Sequence, residues 1–109
     1  MVNKPKRLGT EWETDVVRYL QEHGEPLAER RALVGSADRG DVAGTDYVWE
    51  CKNEARINLA GGIDETMQET RNAKVSFGFL VVKRRRKSTA EAYAVMTLSQ
   101  LCRLLYGDR

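Results

Sequence analysis

The chain has little with which to do thiol, zinc or histidine chemistry. It holds one histidine, His23, and two cysteines, Cys51 and Cys102, with no CxxC or other metal-type spacing. His23 stands beside Gly24 at a helix stop, where the helix C-terminal dipole favours it on the surface. It is not a candidate base. Both cysteines lie among apolar residues and read as buried free thiols; a disulfide is not expected in a reducing compartment. No apolar run approaches the roughly 20 residues of a membrane span, so no membrane partner is expected. The basic opening, residues 1–7, lacks the apolar stretch of a signal peptide, and a cytoplasmic protein is expected. Internal repeats and low-complexity segments are also missing. At 109 residues, 41% hydrophobic and 31% charged, the chain has room for one domain with a modest core.

Net charge is small too. A formal +2 does not by itself announce a nucleic-acid partner, but its distribution is uneven. Lys4, Lys6 and Arg7, with Lys83, Arg84, Arg85, Arg86 and Lys87, supply eight of the 18 basic residues. Positive charge gathered in two short segments suits a phosphate-binding face. Five consecutive cations repel one another, which favours an anionic partner over a merely solvated hairpin tip.

The element pattern follows from periodicity and punctuation. Residues 1–8 read as a flexible basic arm interrupted by Pro5, and residues 9–109 as one domain. Thr10 with Glu13 three residues on has capping-box spacing, opening a helix to about His23 with Trp12, Val16, Tyr19 and Leu20 as its buried stripe. Residues 28–34 read as a strand, with Arg30 and Arg31 either near phosphate or solvated. A polar loop, residues 35–40, follows, where Ser36 and Arg39 are candidates to grip phosphate and Asp38 reads as a turn residue. Residues 41–43 and 47–52 form a short hairpin about Gly44-Thr45-Asp46. A second helix over residues 59–74 lays Ile63 and Met67 along one face. The apolar run 77–82 is a central strand. Residues 92–96 form a last strand, and Thr97 or Ser99 caps a terminal helix whose leucines and Cys102 serve the core or a dimer interface. The result is an α/β domain, a mixed β-sheet flanked by helices in the order αβββαββα.

The chemistry concentrates in two strands. Side chains alternate along a strand, so Glu50 and Lys52 share a face with Val48 while Tyr47, Trp49 and Cys51 take the other. The hairpin brings Asp41 alongside. Two acids buried close together are costly without a cation. Two carboxylates can hold a magnesium ion that keeps most of its waters, with manganese as a substitute. Such an ion activates water and neutralises charge on a phosphate, and a lysine beside it orients water or stabilises the same charge.

Asp41 followed by Glu50-x-Lys52 resembles the signature of the PD-(D/E)xK nuclease superfamily, with Gly40 where the superfamily name has proline. Gly9-Thr10-x-x-Glu13-x-x-Val16 is similar to the first helix of its Holliday-junction resolvases. The run from Gly9 to Lys83 resembles small resolvase-like proteins of actinobacteria and their phages. The resemblance implies a restriction-endonuclease-like core and a magnesium-dependent endonuclease acting on DNA, most characteristically four-way junctions, as a homodimer. It implies Asp41 and Glu50 as metal ligands with the Cys51 carbonyl, Lys52 as the catalytic lysine and Glu13 assisting from the first helix. It also implies a polar residue on the second helix, for which Glu65 and Gln68 are the candidates. Lys6, Arg7, Ser36, Arg39 and residues 83–87 are the expected DNA contacts. The alternatives are the same chemistry on flapped, nicked, single-stranded or duplex DNA, an RNA-directed nuclease, and a non-catalytic DNA-binding module on the same fold.

Overall fold

The computed structural model describes residues 4–32 and 38–108. Its elements run α1 (Lys4–His23), β1 (Glu29–Arg30), β2 (Val42–Ala43), β3 (Val48–Lys52), α2 (Leu59–Ala73), β4 (Gly78–Val82), β5 (Tyr93–Val95) and α3 (Leu98–Tyr106). A short 3₁₀ turn, Thr89–Glu91, precedes β5. The chain is mixed α/β, with helices and strands in the expected order. The strands divide into two sheets: β1 pairs antiparallel with β2, and β4 lies between parallel β3 and antiparallel β5.

Several expectations change. The segment 41–43 does not fold back on β3 as a hairpin. It pairs with β1, Arg30 opposite Val42, and touches β3 through the Asp41 N–H on the Trp49 carbonyl, 3.0 Å. The strand expected over residues 28–34 is correspondingly short, and residues 33–37 lie outside the described set. The first helix begins at Lys4 rather than at Gly9, so residues 4–8 belong to α1 and not to a separate arm. Pro5 is tolerated because N–H groups in a first turn have no helical partner anyway. Thr10 is then an interior residue: its carbonyl accepts from the Thr14 hydroxyl at 3.0 Å, and no capping box forms there.

Helix α1 binds the two sheets together. Trp12 and Val16 pack on Val81 of β4, while Val17 packs on Ala28 and Val42 beside β1 and β2. Leu20, Trp49 and Cys51 touch both groups. The Trp12 indole N–H donates to the Val81 carbonyl at 3.2 Å, anchoring the helix by a polar contact as well as by burial.

Helix α2 covers the opposite face of β4 by close approach. A Cβ on Gly62 would stand 2.9 Å from Leu80 Cδ2, and one on Gly78 would collide with the Thr70 hydroxyl. The helix buries Gly62, Thr66, Glu69 and Thr70, a small and polar set. Thr66 and Thr70 satisfy their hydroxyls on the carbonyls four residues back, both at 2.7 Å. Asn58 caps the start by accepting from Gly61 N–H, and Lys74 closes the end in the left-handed conformation.

Helix α3, capped by Thr97, buries Gln100 and exposes Leu98, Leu104 and Leu105. The expected apolar stripe is therefore outside the core of this chain. Cys102 is exposed with it, against the expectation of a buried thiol, whereas Cys51 is largely covered. Among the described residues no helix is long and apolar enough to cross a membrane.

Candidate active site

Strand β3 separates two kinds of side chain. Trp49 and Cys51 face the α1 core, and Val48 and Glu50 are buried on the other side. Burying that side beneath α2 leaves Glu50 4% exposed. Lys52, one pleat further, is half-buried; its ammonium stands 3.5 Å from Glu50 Oε2 and 3.0 Å from Glu65 Oε1.

Asp41 is held at three points. Its N–H donates to the Trp49 carbonyl at 3.0 Å, its carbonyl accepts from Arg31 N–H at 2.9 Å, and its Oδ2 accepts from Cys51 N–H at 2.7 Å. The residue joins the two sheets and has little freedom to leave β3. Gly40 makes this route possible. It has φ +91°, and a Cβ there would stand 2.9 Å from Val48 Cγ1.

Helix α2 supplies two further acids on one face, four residues apart. The ligand-capable oxygens of Glu50, Glu65 and Glu69 lie within 4.8 Å of one another. Glu69 is 1% exposed, and among the described residues neither of its oxygens has a hydrogen-bond partner; Glu50 Oε1 is likewise buried and unpaired among them. Asp38 presses on the same group from the loop, fixed by Gly40 N–H on its Oδ1 at 2.9 Å and by the Asn72 amide on its carbonyl at 2.7 Å.

The electrostatics follow from that crowding. Burial, then the Glu65 and Asp41 carboxyls, push the Glu50 pKa up to about 11. Burial, then Asp38, push Glu69 up to about 9. Glu65 moves the other way, lowered by its hydrogen bond with Glu50 and by Lys52. In a cation-free state Glu50 thus carries a proton shared with an ionised Glu65. For Lys52, burial opposes its charge, but the bond to Glu65 and the charges of Glu50 and Glu65 outweigh burial and hold the ammonium above its ordinary range.

The donor set is carboxylate oxygen throughout, which suits a hard divalent cation such as magnesium or manganese. The buried, unpaired oxygens of Glu50 and Glu69 are the strongest sign of fit, since such atoms are costly without a partner.

The other expected residues divide. Glu13 reaches the neighbourhood, since burial and then Asp41 raise its pKa, but its Oε1 is gripped by Arg30 Nε at 3.2 Å and Nη2 at 3.1 Å. Arg30 is thereby engaged within the chain, and Arg31 donates to the Val42 carbonyl at 3.3 Å. Gln68 lies on the exposed side of α2, bonded to Asn72 and Arg71. Ser36 lies outside the described residues; Arg39 is exposed. Lys83 sits 4.8 Å over the Trp12 ring, and Arg84 lies over Tyr93 and pairs with Glu91 at 3.4 Å. Arg85, Arg86 and Lys87 are exposed. Lys6 and Arg7 are exposed on α1, Arg7 beside Glu11 at 3.7 Å.

A cleft of about 730 Å³ opens next to Lys52, lined by Leu8 and Gly9 of α1, by Asn53 and Arg56 after β3, and by Arg85. Arg56 was not singled out from the sequence, and neither was Glu69. The usable signal for Glu69 was its four-residue spacing from Glu65, which a charged, solvated-looking helix disguised. The chain matches no protein-family model, no curated protein and no solved structure.

Proposed function

We propose that the protein is a divalent-cation-dependent endodeoxyribonuclease on a restriction-endonuclease-like core, of the Holliday-junction resolvase type. The observation that carries this reading is a buried Glu50 with an unpaired oxygen, set between Asp41 and Lys52. Asp41 and Glu50 would hold the cation, with the Cys51 carbonyl beside them. When bound, the cation would supply an activated water and neutralise charge on the phosphate.

The chain's own residues would do the rest. Asp41, fixed by three backbone contacts, sets the position of the acidic pair. Lys52 remains an ammonium, so its part is to donate a hydrogen bond to the phosphoryl oxygens and stabilise developing charge, not to remove a proton. Glu65 aims that ammonium. Arg56 and Arg85 flank the cleft beside it and would grip backbone phosphates, with Arg86 and Lys87 continuing the basic edge. Cleavage would leave a 5′-phosphate and a 3′-hydroxyl.

Junction resolution needs two matched cuts, hence a two-fold dimer. The exposed leucines of α3 support a homodimer through that helix. Cleavage of an end-labelled four-way junction with magnesium, beside a linear duplex of the same arm sequence, tests the proposal. Paired symmetric cuts confined to the junction and lost in Glu50→Ala and Lys52→Ala are expected. Equal cutting of the duplex would remove the resolvase assignment, and tight binding without cleavage would leave a DNA-binding module.

A further inference from the structure

We infer that the cation seat extends from β3 onto α2, with Glu69 as a buried ligand alongside Glu50 and Glu65. The family resemblance places the ion between Asp41, Glu50 and the Cys51 carbonyl; the geometry adds two carboxylates from the opposite side. Three carboxylates from two elements meet with ligand atoms no more than 4.8 Å apart. Opposite ligands stand about 4.2 Å apart around magnesium and about 4.6–5.2 Å around calcium, twice the usual bond lengths. Only one pair among three ligands can stand opposite, so the carboxylates would draw together to hold the ion.

The independent observation is Glu69. It is 1% exposed, both its oxygens lack hydrogen-bond partners among the described residues, and one of them lies within 4.8 Å of an oxygen of Glu50 and of Glu65. A merely structural glutamate in that place would be expected to meet a donor, as buried polar groups generally do. Among the described residues, the donors around the site are already engaged. Lys52 is on Glu65 and Glu50, the Cys51 N–H is on Asp41, Gly40 N–H is on Asp38, and Arg30 is on Glu13. Asp38, Asp41, Glu50, Glu65 and Glu69 thus face one another with Lys52 as their paired ammonium. One positive charge does not balance that group, and a divalent ion would remove part of the excess.

The inference rests on the cation-dependent reading of the site and adds which side chains hold the ion. Its test is a calorimetric titration of manganese chloride into the metal-stripped full chain without DNA, with circular dichroism and thermal melting to certify each fold. Glu69→Gln is expected to weaken manganese binding at least tenfold. Glu65→Gln, on the exposed rim, is expected to weaken it three- to tenfold, and Glu22→Gln on the far part of α1 to leave it unchanged. Wild-type affinity, within twofold, in both Glu69→Gln and Glu65→Gln overturns the inference, as does absence of manganese binding in the wild type. If Glu69→Gln fails to fold, Glu65→Gln decides alone. Junction cleavage measured in parallel separates the two readings. Cleavage with manganese binding indifferent to both substitutions sinks this inference and keeps the nuclease. Glutamate-dependent manganese binding without cleavage of any DNA keeps this inference and sinks the nuclease.

Discussion

Two polar side chains lie fully buried against the three-stranded sheet, and they are treated in opposite ways. Gln100 of α3 meets Gly78 with both ends: its amide donates to the Gly78 carbonyl at 2.9 Å and its oxygen accepts from the Gly78 N–H at 2.8 Å. Glu69 of α2, equally buried, has a hydrogen-bond partner for neither oxygen among the described residues. The first is a closed account of hydrogen bonds, holding α3 on the end of β4. The second leaves acceptor capacity facing other acceptors. On the proposed cation site, the difference separates a group that serves stability from groups that would serve a ligand.

The largest effect expected from breaking this contrast is catalytic. Lys52→Ala should lower magnesium-dependent cleavage by about 10²–10³-fold, measured as single-turnover rates, with the melting temperature little changed. Wild-type rates in that variant would end the role given to Lys52. On the structural side, Gln100→Ala should destabilise by about 2–4 kcal/mol, because two buried backbone groups lose their partners. Urea unfolding measures this, and manganese binding by the folded fraction should be unaffected.

Smaller and opposite in sign is Glu50→Gln. It should stabilise the cation-free protein by about 1–2 kcal/mol at pH 8, since removing an ionisable group from a crowded acidic site relieves it. The same substitution should also slow cleavage. The pH dependence has a definite direction. Glu69 ordinarily titrates near 4.5 and is pushed up to about 9 in the fold. Between those values the folded state holds a proton that the unfolded chain has released, so stability falls as pH rises across that window. Metal-free melting curves should therefore show higher stability at pH 5 than at pH 8, and added magnesium should reduce the difference. A metal-free protein that gains stability over that range would contradict the protonated cluster. Smallest of all is Leu105→Ser on exposed α3, which should shift the stability of an isolated chain by less than about 0.5 kcal/mol. In light scattering it should dissociate a dimer formed through that helix.

The strands were the legible part of this molecule. Alternation alone puts Glu50 and Lys52 on one face and Trp49 and Cys51 on the other, and the structure keeps that division. The unbroken apolar run of β4 marked a central strand, and every residue in it is buried. Helix α2 was legible as a helix but not in its orientation. Ile63 and Met67 suggested the buried face, yet both are half-buried while Gly62, Thr66, Glu69 and Thr70 are covered. Small residues bury a helix by letting its backbone approach, and that leaves no hydrophobic signal to read. Glu69 was hidden for the same reason. The partner of β2 was hidden for another: strands of two residues carry too little pattern to select a neighbour. The entry of α1 was misjudged because Pro5 reads as a break when it stands inside a segment and as a start when it stands at the end.

Gly40 has one more bearing, on which sequences this site can reach by mutation. Proline needs φ near −65°, whereas position 40 sits at +91°. Proline also has no N–H, and the Gly40 N–H is the donor that fixes Asp38. Its ring would enter space next to Val48 that does not admit even a Cβ without displacement. The proline of the superfamily name is therefore not one substitution away from this protein. A library randomised at position 40 and selected for folding should return glycine almost alone, with asparagine and aspartate as the rare survivors. A chain with glycine at this position is committed to it by the path of its backbone.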